Sequence, residues 1–258
     1  MKNRQTTLRL FCGLVAMALM LFRPMAALSQ CVEDGSALRV GEVLKYSAYY
    51  NWGLIWVKAG TATFSVGEEN GNYKFTVTAD NVPAWGWLYS LHSRHTAVMT
   101  KSFTPVYMES DTKENGFWSK EHYRYADGHI YKSYQNKDNQ KGGSVVLDHP
   151  ACSWDIIHAV YVARSINVRK GGIGKTIPFH VFFNDSVYTI YGKVMKQERI
   201  KNKSGREFDC LKCSATVVSG TMFEEGAPVY VWITNDERQI PILVESKISV
   251  GFVKVYLD

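Results

Sequence analysis

The chain has 258 residues, 30 of them basic and 24 acidic, for a formal charge of +6. Four of the basic residues, Lys2, Arg4, Arg9 and Arg23, precede residue 30 and no acid does, so the remainder carries only +2. That near balance removes the electrostatic case for nucleic acid or an anionic membrane as a partner of the whole surface, while 46% hydrophobic and 13% aromatic content suffices for a packed core.

The first elements in the chain are an address. Lys2, Arg4 and Arg9 form a basic start, Leu10 to Phe22 is an uncharged apolar run of 13 residues, and small residues follow around Ala26, Ala27 and Ser29. This order predicts a secretory signal peptide over 1–29, cut after Ser29. The run is too short for the roughly 20 residues that cross a bilayer, so no transmembrane span remains after removal. The expected compartment is the periplasm. Outer-membrane association by lipidation at Cys31 is the rival outcome, although Gln30 stands where a lipoprotein signal normally has Gly or Ala.

From residue 30 to 258 the pattern is strand after strand, without a Pro/Gly/Ser-rich linker, and predicts a single β-rich domain. Tyr73, Phe75, Val77 and Ala79 alternate with Lys74, Thr76, Thr78 and Asp80, the period of a half-buried strand. Comparable segments run over 43–50, 55–66, 87–99, 105–111, 117–126, 129–135, 177–183, 186–194, 207–218, 229–234, 240–248 and 250–257. Turn chemistry separates them at Asn70-Gly71, Asp127-Gly128, Ser204-Gly205 and Asn235-Asp236-Glu237. Asn136 to Gly143 reads as a polar loop. The expected class is all-β, a mainly antiparallel curved sheet forming a barrel or sandwich. One segment departs from this: Trp154, Ile157, Tyr161 and Arg164 recur at helical spacing, which predicts one packed helix near 153–167, capped by Ser153.

Chemical motifs are scarce. Cys210 and Cys213 form a CxxC, but inside a strand residues three apart face opposite ways, so redox or zinc chemistry is not expected there. The other mature cysteines are Cys31 and Cys152, and four cysteines leave three connectivities open. No HExxH, nucleophile elbow or P-loop is present, and no cofactor, metal site or catalytic residue is assigned. Aromatic residues concentrate in the first half, and Trp85, Trp87, Tyr89 and Trp118 are the candidate ligand contacts, since such rings suit sugars or lipid-like molecules.

The run Val231-Trp232-Ile233-Thr234-Asn235-Asp236-Glu237-Arg238-Gln239-Ile240-Pro241, followed by Gly251-Phe252-Val253-Lys254, resembles the Domain of Unknown Function 3108 family of exported bacterial proteins, of a kind common in Bacteroidetes. The similarity extends to 46–63, to the Trp154–Arg164 helix and to 205–211. It implies an exported antiparallel β protein and supplies no catalytic residues. The resulting expectation is a non-enzymatic envelope protein binding an apolar or glycan-like ligand or a protein partner. The alternatives are an envelope hydrolase assembled from distant residues such as His92, Asp111 or His122, and a structural component of an envelope complex.

Overall fold

The period-2 segments pair with their chain neighbours, because short turns return each strand beside the last. In the computed structural model the described residues are 31, 37–52, 55–86, 89–183, 185–216, 228–248 and 251–258. The signal peptide expected over 1–29 and its expected cut after Ser29 lie outside them. The strands are β1 (Val43–Trp52), β2 (Ile55–Glu69), β3 (Asn72–Asn81), β4 (Leu91–Met99), β5 (Pro105–Glu114), β6 (Phe117–Ala126), β7 (His129–Asn136), β8 (Gly143–Asp148) and β9 (Ser153–Asp155). Helices α1 (Ile156–Ser165) and α2 (Val168–Gly171) follow, then β10 (Thr176–Phe183), β11 (Ser186–Lys201), β12 (Glu207–Thr216), β13 (Pro228–Thr234), β14 (Pro241–Lys247) and β15 (Phe252–Leu257).

All these strands join one sheet in the order β8 to β1, then β15 back to β9. Every neighbouring pair is antiparallel except β9 and β10, which match Ser153–Asp155 with His180–Phe182 in parallel. The hairpins at Asn70-Gly71, Asn115-Gly116 and Asp127-Gly128 place both turn residues at positive φ, the twist that two-residue loops require. The sheet is not closed by backbone pairing: β8 and β9 are its edges, and only His149 to Cys152 separate them in sequence. Curvature brings the two edges together, and side chains span the seam. Lys132 of β7 reaches Asp185 at 2.9 Å, and Tyr123 of β6 meets Phe182 of β10 edge to face.

Helix α1 packs on β3, β4, β9 and β10. Tyr161 stacks on Phe75 with ring centroids 3.9 Å apart, and its hydroxyl donates to the Ser65 carbonyl. Trp154 stacks on Phe179 and donates through Nε1–H to the Phe103 carbonyl at 3.0 Å. The four residues expected on one helical face are all buried. Burying side chains of this size contributes roughly 1.5–3 kcal/mol each.

Some expectations need correction. The helix starts at Ile156 and not at Ser153, because Asp155 supplies the cap: its Oδ1 accepts from the N–H groups of Ile157 and His158 at 2.9 and 3.1 Å. Ser153 donates instead to the Pro150 carbonyl and belongs to β9. The strand expected over 87–99 begins at Leu91, and Pro83–Trp85 forms a 3-10 turn, where proline at its start fixes φ. Strand β8 had no counterpart in the sequence pattern, and β11 runs to Lys201 rather than stopping at 194.

Candidate functional site

Two buried polar clusters draw attention first. Asp155 sits between β9 and α1, and its Oδ2 accepts from the Tyr125 hydroxyl at 2.5 Å and from His158 Nδ1. His158 Nε2–H donates to the Val98 carbonyl at 3.0 Å. Burial would raise the Asp155 carboxyl, but the charge and hydrogen bond of His158, with that of Tyr125, hold it below its ordinary 3.8. Both imidazole nitrogens are engaged and the ring is fully buried. This Asp-His-Tyr cluster therefore has no free lone pair facing substrate, and its geometry is that of a cap and a brace.

The second cluster ties the end of α1 to two other segments. Glu42 accepts from Arg164 at 2.6 and 3.2 Å and from Arg238 at 2.5 Å. Burial would raise the Glu42 carboxyl, and Arg164 followed by Arg238 outweigh it and keep it below 4.5. Gln239 completes the brace by donating to the carbonyls of Arg164 and Ile166. A forked guanidinium on a carboxylate is a strong and directional pair, here used to hold structure.

An accessible site lies elsewhere, on the β4–β8 part of the sheet. It is an open depression of about 590 Å³. Register explains its composition, since directly paired residues share a face. One row across the strands is Arg94, Asp111, Lys120 and Gln135. The next is Thr96, Glu109, His122 and Ser133. Rows on one face are about 7 Å apart along a strand, and neighbours within a row about 5 Å apart. The groove thus presents guanidinium, carboxylate, ammonium, amide, hydroxyl and imidazole groups on a regular grid. Lys120 and Asp111 approach to 3.4 Å, and the ring of Tyr107 stacks beside that of His122. Tyr134, Lys141, Gly142 and Gly143 border it on the β7–β8 side. Gly143 lies so close to Tyr134 that a Cβ there would sit 2.7 Å from the tyrosine ring.

The residues singled out from sequence fall in different places. Trp118 is half-buried on β6, on the same face as Lys120 and beside one end of the groove. Tyr89 is held at the β5–β6 hairpin by donating to Glu114 Oε1 at 2.7 Å, and burial with that carboxylate pushes its phenol up to about 12. Only the backbone of Trp85 is described, in the 3-10 turn, and Trp87 lies outside the described residues. Asp111 and His122 both line the groove, whereas His92 points to Asp80 at 2.5 Å beyond it. The groove as a unit escaped the sequence because its rows exist only once four strands are in register.

Cys31 and Cys152 are joined, with Cα atoms 5.3 Å apart. Cys210 and Cys213 are free thiols on β12. Burial above all pushes Cys210 up to about 12 and Cys213 up to about 11, which leaves neither as a thiolate nucleophile near neutral pH. Among the described residues no three His, Cys, Asp or Glu side chains converge as metal ligands, and no helix is long and apolar enough to cross a membrane.

With the geometry established, comparison with known proteins places the chain. Residues 45–258 match the family described as Protein of unknown function (DUF3108). The chain belongs to the DUF3108 family. A solved structure with a similar fold is the β-barrel-like protein of Domain of Unknown Function DUF1849 from Brucella abortus, at 9% identity and a TM-score of 0.54. The match covers 84% of this chain and 94% of that one. A DUF1089 family protein from Pseudomonas aeruginosa matches at 11% identity and a TM-score of 0.36, over 75% of this chain and 94% of that one. No curated protein matches. DUF3108 membership and the barrel-like likeness agree with a curved, mainly antiparallel sheet holding a helix.

Proposed function

We propose that this DUF3108 protein is an exported, periplasmic envelope protein that binds a hydroxyl-rich, glycan-like ligand in the β4–β8 groove. The observation that carries the reading is the two-row grid of Arg94, Asp111, Lys120, Gln135 and Thr96, Glu109, His122, Ser133. Each sugar hydroxyl both donates and accepts, and such a grid offers both roles at every step. Arg94 and Lys120 balance Glu109 and Asp111, so the groove does not select a strongly charged molecule. Trp118 stands at one end as a ring on which a sugar can stack. Export is supported by the N-terminal segment and by the Cys31–Cys152 bond, which an oxidising compartment sustains. A sulfur in that bond carries no lipid thioether, which favours a protein not tethered at Cys31.

Titration with the trimer of N-acetylglucosamine, followed by amide shifts, tests the reading. Shifts should cluster on β4–β7, and Arg94→Ala with Gln135→Ala should weaken binding by about tenfold or more, each lost hydrogen bond to a charged or buried partner costing roughly 1–3 kcal/mol. Recovery of the intact trimer separates binding from hydrolysis. Absent shifts with glycans of different linkage, or equal binding by the double variant, would overturn it.

A further inference from the structure

Alternation of antiparallel strands puts the ends of β1, β3, β5, β7, β10, β12 and β14 and the starts of β2, β4, β6, β8, β11, β13 and β15 at one end of the sheet. The two ends differ in the size of the apolar side chains they expose: among the described residues the far end exposes Val40 and Val43 but no aromatic ring. At the other end the turns are Asn70-Gly71, Lys101-Ser102, Asp127-Gly128, Lys203-Ser204-Gly205 and Asp236-Glu237-Arg238, with Phe103 turned into the core. At the first end large apolar side chains open the returning strands and stand in solvent. Ile55 is 63% exposed, Phe252 42%, Phe117 40%, Trp56 39% and Val187 37%. Ile55, Trp56 and Phe252 lie on β2 and β15, which flank β1. Phe117 stands at the start of β6, four strands beyond β2 and six beyond β15, so the tips run over roughly 30 Å along the sheet at the spacing of paired strands.

We infer that this end of the molecule docks on a lipid surface, with Ile55, Trp56, Phe117 and Phe252 entering the headgroup layer. Separate hairpin tips carrying aromatic and aliphatic side chains suit an interface that is apolar below and wet above. The local charge agrees, although the whole chain is nearly balanced. Lys58, Lys113, Lys137 and Lys141 at this end are exposed and form no ion pair among the described residues. Of the described acids there, Asp185 and Glu245 are paired with Lys132 and Lys254, which leaves Asp80, Glu114 and Asp138 against the four lysines, with Asp80 hydrogen-bonded to His92. Anionic headgroups complement that excess. Lys254 lies 5.0 Å from the Trp56 ring, an arrangement that holds the indole at the tip. The inference shares Lys141 with the border of the groove but does not depend on glycan binding, since the apolar side chains that carry it stand at the tips and the groove lies on a sheet face.

The test is association of the exported chain with vesicles of phosphatidylglycerol and phosphatidylethanolamine, and with vesicles of phosphatidylcholine alone. Binding should be stronger to the first, tryptophan emission should shift to the blue, and brominated acyl chains should quench it. Ile55→Ser, Phe117→Ser and Phe252→Ser together should lower partitioning by at least about tenfold, with an unchanged thermal midpoint because all three are exposed. Val43→Ser, at the opposite end and also exposed, should leave partitioning as it was. The inference fails if the wild-type chain ignores both vesicles, or if the triple variant partitions equally. It also fails if salt abolishes binding with no quenching by brominated lipid, which marks surface adsorption only. A protein partner at this end would leave vesicles unbound and so counts against it.

Discussion

At the scale of single residues, the buried charges are the most consequential choices in this chain. Arg164 is only 5% exposed and its two terminal nitrogens donate to the Glu42 carboxylate and to the carbonyls of Ala37 and Arg238. Removing one partner of such a pair costs about 3–5 kcal/mol when it leaves the other charged and dry; Glu42 keeps Arg238 as a partner, so Arg164→Met should lower unfolding free energy by about 3 kcal/mol, the low end of that range, in urea titration. Acid supplies an independent probe. Glu42 and Asp155 both have folded pKa values below their ordinary 4.5 and 3.8. A depressed carboxylate contributes stability that is fully present above its unfolded pKa and is lost as pH falls through the folded one. Stability should therefore hold above about pH 4.5 and decline below it as these two groups protonate. In Glu42→Gln the decline should be shallower. An unchanged slope of unfolding free energy against pH would show that Glu42 carries none of the effect.

At the scale of elements, what was legible followed from local periodicity. The strand at Asn72–Asn81 and the turn at Asp127-Gly128 are written in consecutive residues, and so is the buried face of Trp154, Ile157, Tyr161 and Arg164. The boundary of α1 was not legible, because Ser153 and Asp155 are both good caps. What decides between them is nonlocal: Tyr125, 30 residues away, fixes the Asp155 carboxylate, and His180 pairs with Ser153. The groove is half legible, since Asp111 and His122 stand out as polar candidates in the sequence but Arg94 and Gln135 gain meaning only through register. Glycines in β2 show the same dependence on neighbours. A Cβ on Gly60 would lie 2.7 Å from the Asp80 carbonyl oxygen, beside the irregular pairing of β1 and β2 at Ala48 and Tyr49. Backbone cannot retreat cheaply, so Gly60→Ala should destabilise by about 1–3 kcal/mol. Gly67 has its nearest backbone atom at 3.7 Å, and Gly67→Ala should be neutral or slightly stabilising. Thermal midpoints of the two variants, measured side by side, separate close approach from a general penalty on β2.

At the scale of the whole molecule, stability depends on keeping a curled but open sheet from uncurling. Backbone pairing cannot do this at the seam, so the work falls to Lys132 with Asp185, Tyr123 with Phe182, and Tyr125 with Asp155. The four residues that join the two edges end at Cys152, which is bonded to Cys31 across 121 positions of sequence. A cross-link of that span restrains the unfolded chain strongly, by about 4–5 kcal/mol in the chain-entropy model. It also pins the seam link in the folded state, where Cys152 adopts a positive φ. Reduction should therefore lower the thermal midpoint by several degrees or more, and Cys31→Ser with Cys152→Ser should show the lowered midpoint without responding to reductant. The glycan binding proposed for the β4–β8 groove and the vesicle binding inferred for the hairpin tips should both survive reduction at temperatures well below that midpoint, since neither surface includes the seam link. If reduction left the midpoint unmoved, the side chains across the seam would be sufficient to hold the sheet, and the bond would be a consequence of the curl rather than a cause of its persistence.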